Sequence, residues 1–117
     1  MKLNEVTFRD AVPVDGYGPG FFRVGGTVLQ GAVLVTAGRA TQWQGLEDQE
    51  ALLSLAGTVD VIFLGMGQDI AHAPTGLRAQ IEAAGMGLEV MNSPAACRTY
   101  NVLVSEGRRV ALAALPV

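Results

Sequence analysis

Two short apolar strands in the sequence each run into a turn that could hold a ligand. Val59–Leu64 leads into Gly65–Gly67, and Leu88–Met91 leads into Asn92–Pro94. If the strands are neighbours in a parallel sheet, both turns open at the carboxyl edge, where open α/β sheets bind ligands. The sequence predicts Ser93 as a helix N-cap followed by proline, so free N–H groups and a helix dipole would face an anion there.

This edge would offer six residues to a small anion or nucleotide. They are Gly65, Gly67, Gln68, Ser93, Arg98 and Asn101. An arginine near a sheet edge needs an acidic partner or ligand, and Asp60 or Asp69 could fill that role within the chain. Without a ligand, the same residues describe an ordinary capped helix with a surface arginine.

The Gly65–Ile70 segment superficially resembles the glycine-rich fingerprint of dinucleotide-binding proteins. That motif requires glycine or alanine where Ile70 stands, and its helix should begin at once. The next strand also ends at Asn92 rather than at an acid that could bind a ribose hydroxyl. These departures favour a tight turn without a dinucleotide.

The chain has one cysteine and one histidine, Cys97 and His72. They could form a thiol and its base, but no third group orients them, and a small buried residue is the simpler interpretation of Cys97. A cysteine-based zinc site and a multi-histidine site are both excluded within one chain. We therefore assign no catalytic residue, no metal ligand and no cofactor.

Length and charge restrict the class of protein. A chain of 117 residues fits one domain, residues 1–117. The net charge is −3 with eight scattered Lys and Arg, which argues against nucleic-acid binding. The first residues lack the apolar core of a signal peptide, and no apolar run is long enough to span a bilayer. We expect a soluble, cytoplasmic protein without a transmembrane segment.

The first forty or so residues predict antiparallel strands. Candidates are Val6–Phe8, Phe21–Val24, Thr27–Leu29, Ala32–Thr36 and Ala40–Trp43. Gly25 and Gly26 suit a two-residue hairpin turn because glycine readily adopts positive φ. Val12–Pro19 is predicted as a loop, and Tyr17 with the two phenylalanines after it could form an exposed aromatic patch.

The second half predicts a β-α-β-α-β unit. Its strands are Val59–Leu64, Leu88–Met91 and Val110–Leu115, and its helices are Leu77–Ala84 and the segment from Pro94 to Gly107. A further short helix, Glu47–Leu55, precedes it. On the exposed side of the first of those two helices, Arg78 is expected to pair with Glu82. The fold class is thus α/β, with antiparallel N-terminal strands packed on a parallel or mixed sheet, helices on one side and extra strands on the other.

Three stretches of the chain resemble the Mth-like domain family, which has no known biochemical function. They are Gly16–Phe21, Gly65–Gly67 and, most specifically, Asn92–Leu103 with its sequence NSPAACRTYNVL. The family includes an adipogenesis-associated protein and a mitochondrial assembly factor of respiratory complex I. The resemblance implies a single three-layer β/β/α domain and a role in assembling a membrane complex through protein contacts. Because no mitochondrial presequence precedes the domain, we expect a bacterial-type version.

Three functions are compatible with the sequence. The leading hypothesis is a non-catalytic module that binds an unidentified protein, in line with the resemblance. The alternative is a protein or enzyme that binds a small anion at the carboxyl edge. A third hypothesis is a structural homo-oligomer that associates through its N-terminal hairpin.

Overall fold

A computed structural model describes residues 5–7, 11, 13–69 and 71–117 of the chain. Its strands are β1 (Glu5–Thr7), β2 (Val14–Gly18), β3 (Phe21–Val24), β4 (Thr27–Gln30), β5 (Val33–Thr36), β6 (Arg39–Gln42), β7 (Val61–Met66), β8 (Gly87–Met91) and β9 (Val110–Leu115). Its α-helices are α1 (Gln49–Leu53), α2 (Leu77–Ala83) and α3 (Ser93–Ser105), and a 3-10 turn covers Gly45–Glu47.

The central sheet contains six strands in the order β1-β6-β5-β9-β7-β8. Strands β9, β7 and β8 are parallel, whereas β1, β6 and β5 continue the sheet in antiparallel pairs. The predicted neighbours β7 and β8 pair directly, from Val61 beside Gly87 to Gly65 beside Met91. Their turns therefore meet at one carboxyl edge, as the sequence predicts.

The second sheet is a meander of β2, β3 and β4, all antiparallel. It confirms the hairpin around Gly25 and Gly26, which both adopt positive φ. The predicted loop over Val12–Pro19 is wrong, because β2 occupies most of it; Val12 itself lies outside the described residues. A shift in register between Val14 and Gly16 lets this glycine-rich segment pair with β3.

Two apolar cores lie on the two faces of the central sheet. On one face, Leu52 of α1 and Leu77 and Ile81 of α2 pack with Ile62 and other sheet residues. On the other face, α3 covers β7 and β9 while the three-stranded sheet covers the antiparallel half. The α/β fold class and layered packing are confirmed, but α3 lies on the same face as the extra strands. The expectation that all helices share one side is wrong in this respect.

Some predicted details differ in the structure. Strand β1 ends at Thr7, and Phe8 lies outside the described residues. Of the predicted aromatic patch, Tyr17 is exposed, but Phe22 is fully buried and its ring contacts that of Tyr17. The Arg78 guanidinium donates a hydrogen bond to the Leu88 carbonyl, and within the described residues it forms no ion pair with Glu82.

Gly65 fixes how closely α3 approaches the end of β7. A Cβ atom at Gly65 would lie 2.7 Å from both Cα and Oγ of Ser93. Contacts this short with backbone cannot be relieved by rotating a side chain. Only glycine therefore lets the first residue of α3 rest directly on strand β7.

We expect Gly65→Ala to lower the free energy of unfolding by about 1–3 kcal/mol, because the added methyl forces α3 away from β7. Gly87→Ala is the matched control, since its Cβ would have only ordinary contacts, the nearest at 3.6 Å from Val61. The control should change stability by less than about 1 kcal/mol. Denaturant titration measures the unfolding free energy of both variants. Equal losses of stability would contradict the requirement for glycine at position 65.

Candidate functional site at the carboxyl edge

Ser93 joins three segments of chain at the carboxyl edge. Its side chain is fully buried. The hydroxyl donates to the Leu115 carbonyl at 2.6 Å and accepts the Gly67 N–H at 2.9 Å. The Ser93 N–H in turn donates to the Gly67 carbonyl at 2.7 Å. We call these three bonds the Ser93 interlock; they tie the start of α3 to the ends of β7 and β9.

The first turn of α3 uses its N–H groups within the chain. The Ser93 N–H belongs to the interlock, and Pro94 has no backbone N–H. The Ala95 N–H is capped by Oδ1 of Asn92 at 2.8 Å, and the Ala96 N–H donates to the Asn92 carbonyl at 3.0 Å. The prediction that Ser93 is the N-cap is therefore wrong by one residue, because its hydroxyl is committed to the sheet. An anion here would have to displace existing hydrogen bonds.

Asn101 connects α3 to the three-stranded sheet. Its Oδ1 accepts the Val14 N–H at 2.8 Å, and its Nδ2 donates to the Val14 carbonyl at 3.0 Å. The amide thus imitates a neighbouring strand and pairs with the edge of β2. It lies two turns along α3 from Ser93, and its polar atoms are engaged away from the carboxyl edge.

The two remaining polar side chains of the predicted site, Gln68 and Arg98, are exposed. Asp60, one proposed partner of Arg98, instead forms an exposed ion pair with Arg109, with 2.7 Å between Oδ1 and Nη2. The hydrogen bond from Arg109 lowers the pKa of the Asp60 carboxyl. Asp60 also lies before β7, at the opposite end of the strand from Gln68. Asp60 is therefore not the partner of Arg98, and the alternative partner, Asp69, stays a prediction.

Cys97 is a buried residue of the core between α3 and the sheets, with 3% of its surface exposed. Burial raises the pKa of its thiol to about 11, which suppresses the thiolate at neutral pH. His72 is exposed in the loop before α2. Tyr100, one turn beyond Cys97, is also buried, and its hydroxyl has no hydrogen-bond partner in the described part of the chain.

The structure thus brings together Gly65, Gly67 and Ser93 and leaves Arg98 and Asn101 farther along α3. As a binding site for an anion, the six-residue set stays a prediction. Sequence reasoning missed Asn92 as the cap and the Leu115 carbonyl as the acceptor of the Ser93 hydroxyl. An asparagine directly before Ser93-Pro94 is itself a favourable cap residue, so this signal was present.

We expect Ser93→Ala to destabilise the protein by about 1–3 kcal/mol, because it leaves a buried N–H and a carbonyl without their partner. Ser105→Ala is the matched control on the same helix. The Ser105 hydroxyl also bonds a carbonyl, that of Val102 at 2.6 Å, but it is exposed. The control should cost less than about 0.5 kcal/mol. Thermal unfolding measures the stability of both variants. Similar losses of stability for Ser93→Ala and Ser105→Ala would show that the interlock contributes little.

Comparison with solved structures defines the class of protein. A Mth938-like domain from Bordetella pertussis superimposes with a TM-score of 0.77 at 26% identity, covering 99% of this chain and 92% of that one. An outer membrane protein from Bartonella henselae gives a TM-score of 0.81 at 28% identity, covering 92% and 97%. The fold is therefore that of the Mth938-like domains.

The family model described as a protein of unknown function (DUF498/DUF598) matches residues 14–115. The chain belongs to this family, so the resemblance to the Mth-like domain proteins is confirmed. An uncharacterised protein of Rhodobacter capsulatus is 51% identical over the whole chain and 94% of its own length. NADH dehydrogenase (ubiquinone) 1 alpha subcomplex assembly factor 3 of Danio rerio is 27% identical over 107 residues. That match covers 86% of this chain and 62% of the zebrafish protein.

The helices in the described residues are too short or too polar to cross a membrane.

Proposed function

We propose that the protein is a non-catalytic module that binds another protein and aids assembly of a membrane or respiratory complex. The similarity to the complex I assembly factor supports this most, because it extends over most of the domain. The hydrogen bonding at the carboxyl edge supports it too. Ser93 and Gly67 use their hydrogen-bonding groups to hold the fold together, so a reaction there would need to break the interlock.

The proposed setting is the cytoplasm, at the surface of the complex being assembled. The names of some relatives point toward membranes, as for the outer membrane protein from Bartonella henselae. A cytoplasmic protein could meet its partner only at the inner membrane, so the outer-membrane name of that relative differs from the setting proposed for this chain. Fractionation of cells therefore belongs in the functional experiment, and recovery with the outer membrane would contradict the cytoplasmic location.

Deleting the gene in the organism that encodes it should lower the amount of assembled NADH dehydrogenase complex on native gels. The wild-type chain should restore it, and so should Cys97→Ala, because a binding module does not need the one thiol of the chain. Blotting for the protein controls for its level. An unchanged complex in the deletion strain would refute the assembly role.

If Cys97→Ala accumulates normally but fails to restore the complex, the thiol takes part in the function and the non-catalytic assignment fails. This variant removes a buried sulfur from the α3 core, so its folded fraction is checked by thermal unfolding of the purified chain. Cys97→Ser, which retains the size of the side chain, serves as a second variant and should restore the complex as well.

A further inference from the structure

In the described part of the chain, no element covers strand β8 fully on the face of the central sheet that carries α3. Helix α3 packs on β7 and β9, and only its flank reaches β8, whereas α2 packs on β8 from the opposite face. Side chains alternate along a strand, and Leu88 belongs to the core on the α2 side. Gly87, Glu89 and Met91 therefore face the α3 side. Glu89 is exposed there, and the other two are half-buried.

One flank of α3 rises beside this strand. Thr99 marks it, because its hydroxyl donates to the Met91 sulfur at 3.8 Å. Residues three and four positions apart are neighbours on a helix, so Val102 and Leu103 continue the flank. Leu103 is half-buried against the core. Val102 is 57% exposed, the most of any large apolar side chain among the described residues.

Together these residues form one surface, which we call the β8–α3 strip. Its members are Gly87, Glu89, Met91, Thr99, Val102 and Leu103.

The spacing of the layers leaves room for one more helix on this strip. Neighbouring strands lie about 4.8 Å apart, and packed helices lie about 8–10 Å apart. Because α3 lies over β7 and β9, a helix beside it on the same face would lie about two strand spacings away, above β8. Helices and sheets pack in layers that bury their apolar faces against each other. A helix is therefore the element that would complete this layer.

The charges of the strip favour a basic occupant. Glu89 lies on the strand, and Glu106 follows on the same flank of α3; both are exposed. Within the described residues, neither β8 nor this flank carries a lysine or arginine. The arginine of α3, Arg98, lies on the outer side of the helix, away from β8. Arg78 reaches the edge of β8 from α2, on the other face, where it bonds a carbonyl of the strand.

We propose that the β8–α3 strip binds an amphipathic helix of a partner protein that carries lysine or arginine beside its apolar face. This inference rests on the proposed function and names the chemistry of the partner. The apolar face of that helix packs on Met91, Val102 and Leu103, as in other complexes where a groove accepts a helix. A basic side chain at its margin pairs with Glu89.

A second copy of this chain suits the strip less well. A two-fold contact between two strips would bring Glu89 and Glu106 of one copy against the same acidic residues of the other. Juxtaposed like charges disfavour such a pairing. A basic helix avoids this repulsion.

The test uses the full-length, ¹⁵N-labelled chain and two synthetic amphipathic peptides of about 18 residues, or five helical turns. Both have leucine on one side of the helix; the other side carries lysine in one peptide and glutamate in the other. We expect the lysine peptide to shift the amide resonances of Glu89, Thr99 and Leu103. The glutamate peptide should leave them unchanged.

Two variants with matched controls test the contacts. Val102→Gln should weaken binding of the lysine peptide about fivefold, because it removes apolar surface that the peptide buries. Val28→Gln changes a valine that is 40% exposed on β4 and should have no effect. Glu89→Lys should transfer the preference to the glutamate peptide, whereas Glu82→Lys, on the exposed side of α2, should not. Thermal unfolding confirms that all four variants are folded.

Absence of shifts in the strip, equal shifts with both peptides, or unchanged affinity in Val102→Gln would overturn the proposal. So would shifts that depend on protein concentration without peptide, which indicate a second copy on the strip. In the deletion strain, Glu82→Lys should restore the complex and Glu89→Lys should not. If Glu89→Lys restores it too, the assembly function stands and the docking surface lies elsewhere.

Discussion

The structure depends on one buried hydroxyl. Ser93 stands where β7, β9 and α3 meet, and its Oγ bonds one backbone group from each of the two strand ends. Buried backbone groups at such a junction must find partners within the protein. A single serine supplies both, and Gly65 gives it the space to do so. The start of α3 is therefore fixed against the ends of β7 and β9.

Placement of α3 determines how the second layer is arranged. From Ser93 the helix runs back across β7 and β9, so its apolar side, with Ala96 and Tyr100, covers the parallel half of the sheet. Asn101 then meets the backbone of Val14 and aligns the three-stranded sheet beside the helix. One helix thus connects both sheets, through a hydroxyl at its start and an amide near its middle.

The sequence predicted the features that depend on local pattern. Apolar runs located β7, β8 and β9, and paired glycines located the β3–β4 hairpin. The sequence-based predictions were wrong where contacts with other elements determine the bonding of a side chain. The capping preference of serine could not show that the Ser93 hydroxyl bonds Leu115, which lies 22 residues away. Likewise, i,i+4 spacing favoured an Arg78–Glu82 pair, but the guanidinium instead donates to the Leu88 carbonyl of the following strand, ten residues along the chain. The predicted side of the sheet was wrong for α3, because hydrophobic periodicity identifies the apolar face of a helix but not the surface against which that face packs.

The central claim is that the Ser93 interlock holds the start of α3 stably against the ends of β7 and β9. The Gly67 N–H, which is part of the interlock, tests this claim directly. Native-state hydrogen exchange of the Gly67 N–H measures the free energy needed to break its bond with the Ser93 hydroxyl. We predict that Gly67 exchanges only through global unfolding, whereas the exposed Gln68 next to it exchanges rapidly. Rapid exchange of Gly67, at a rate similar to that of Gln68, would contradict the claim and show that this edge opens readily.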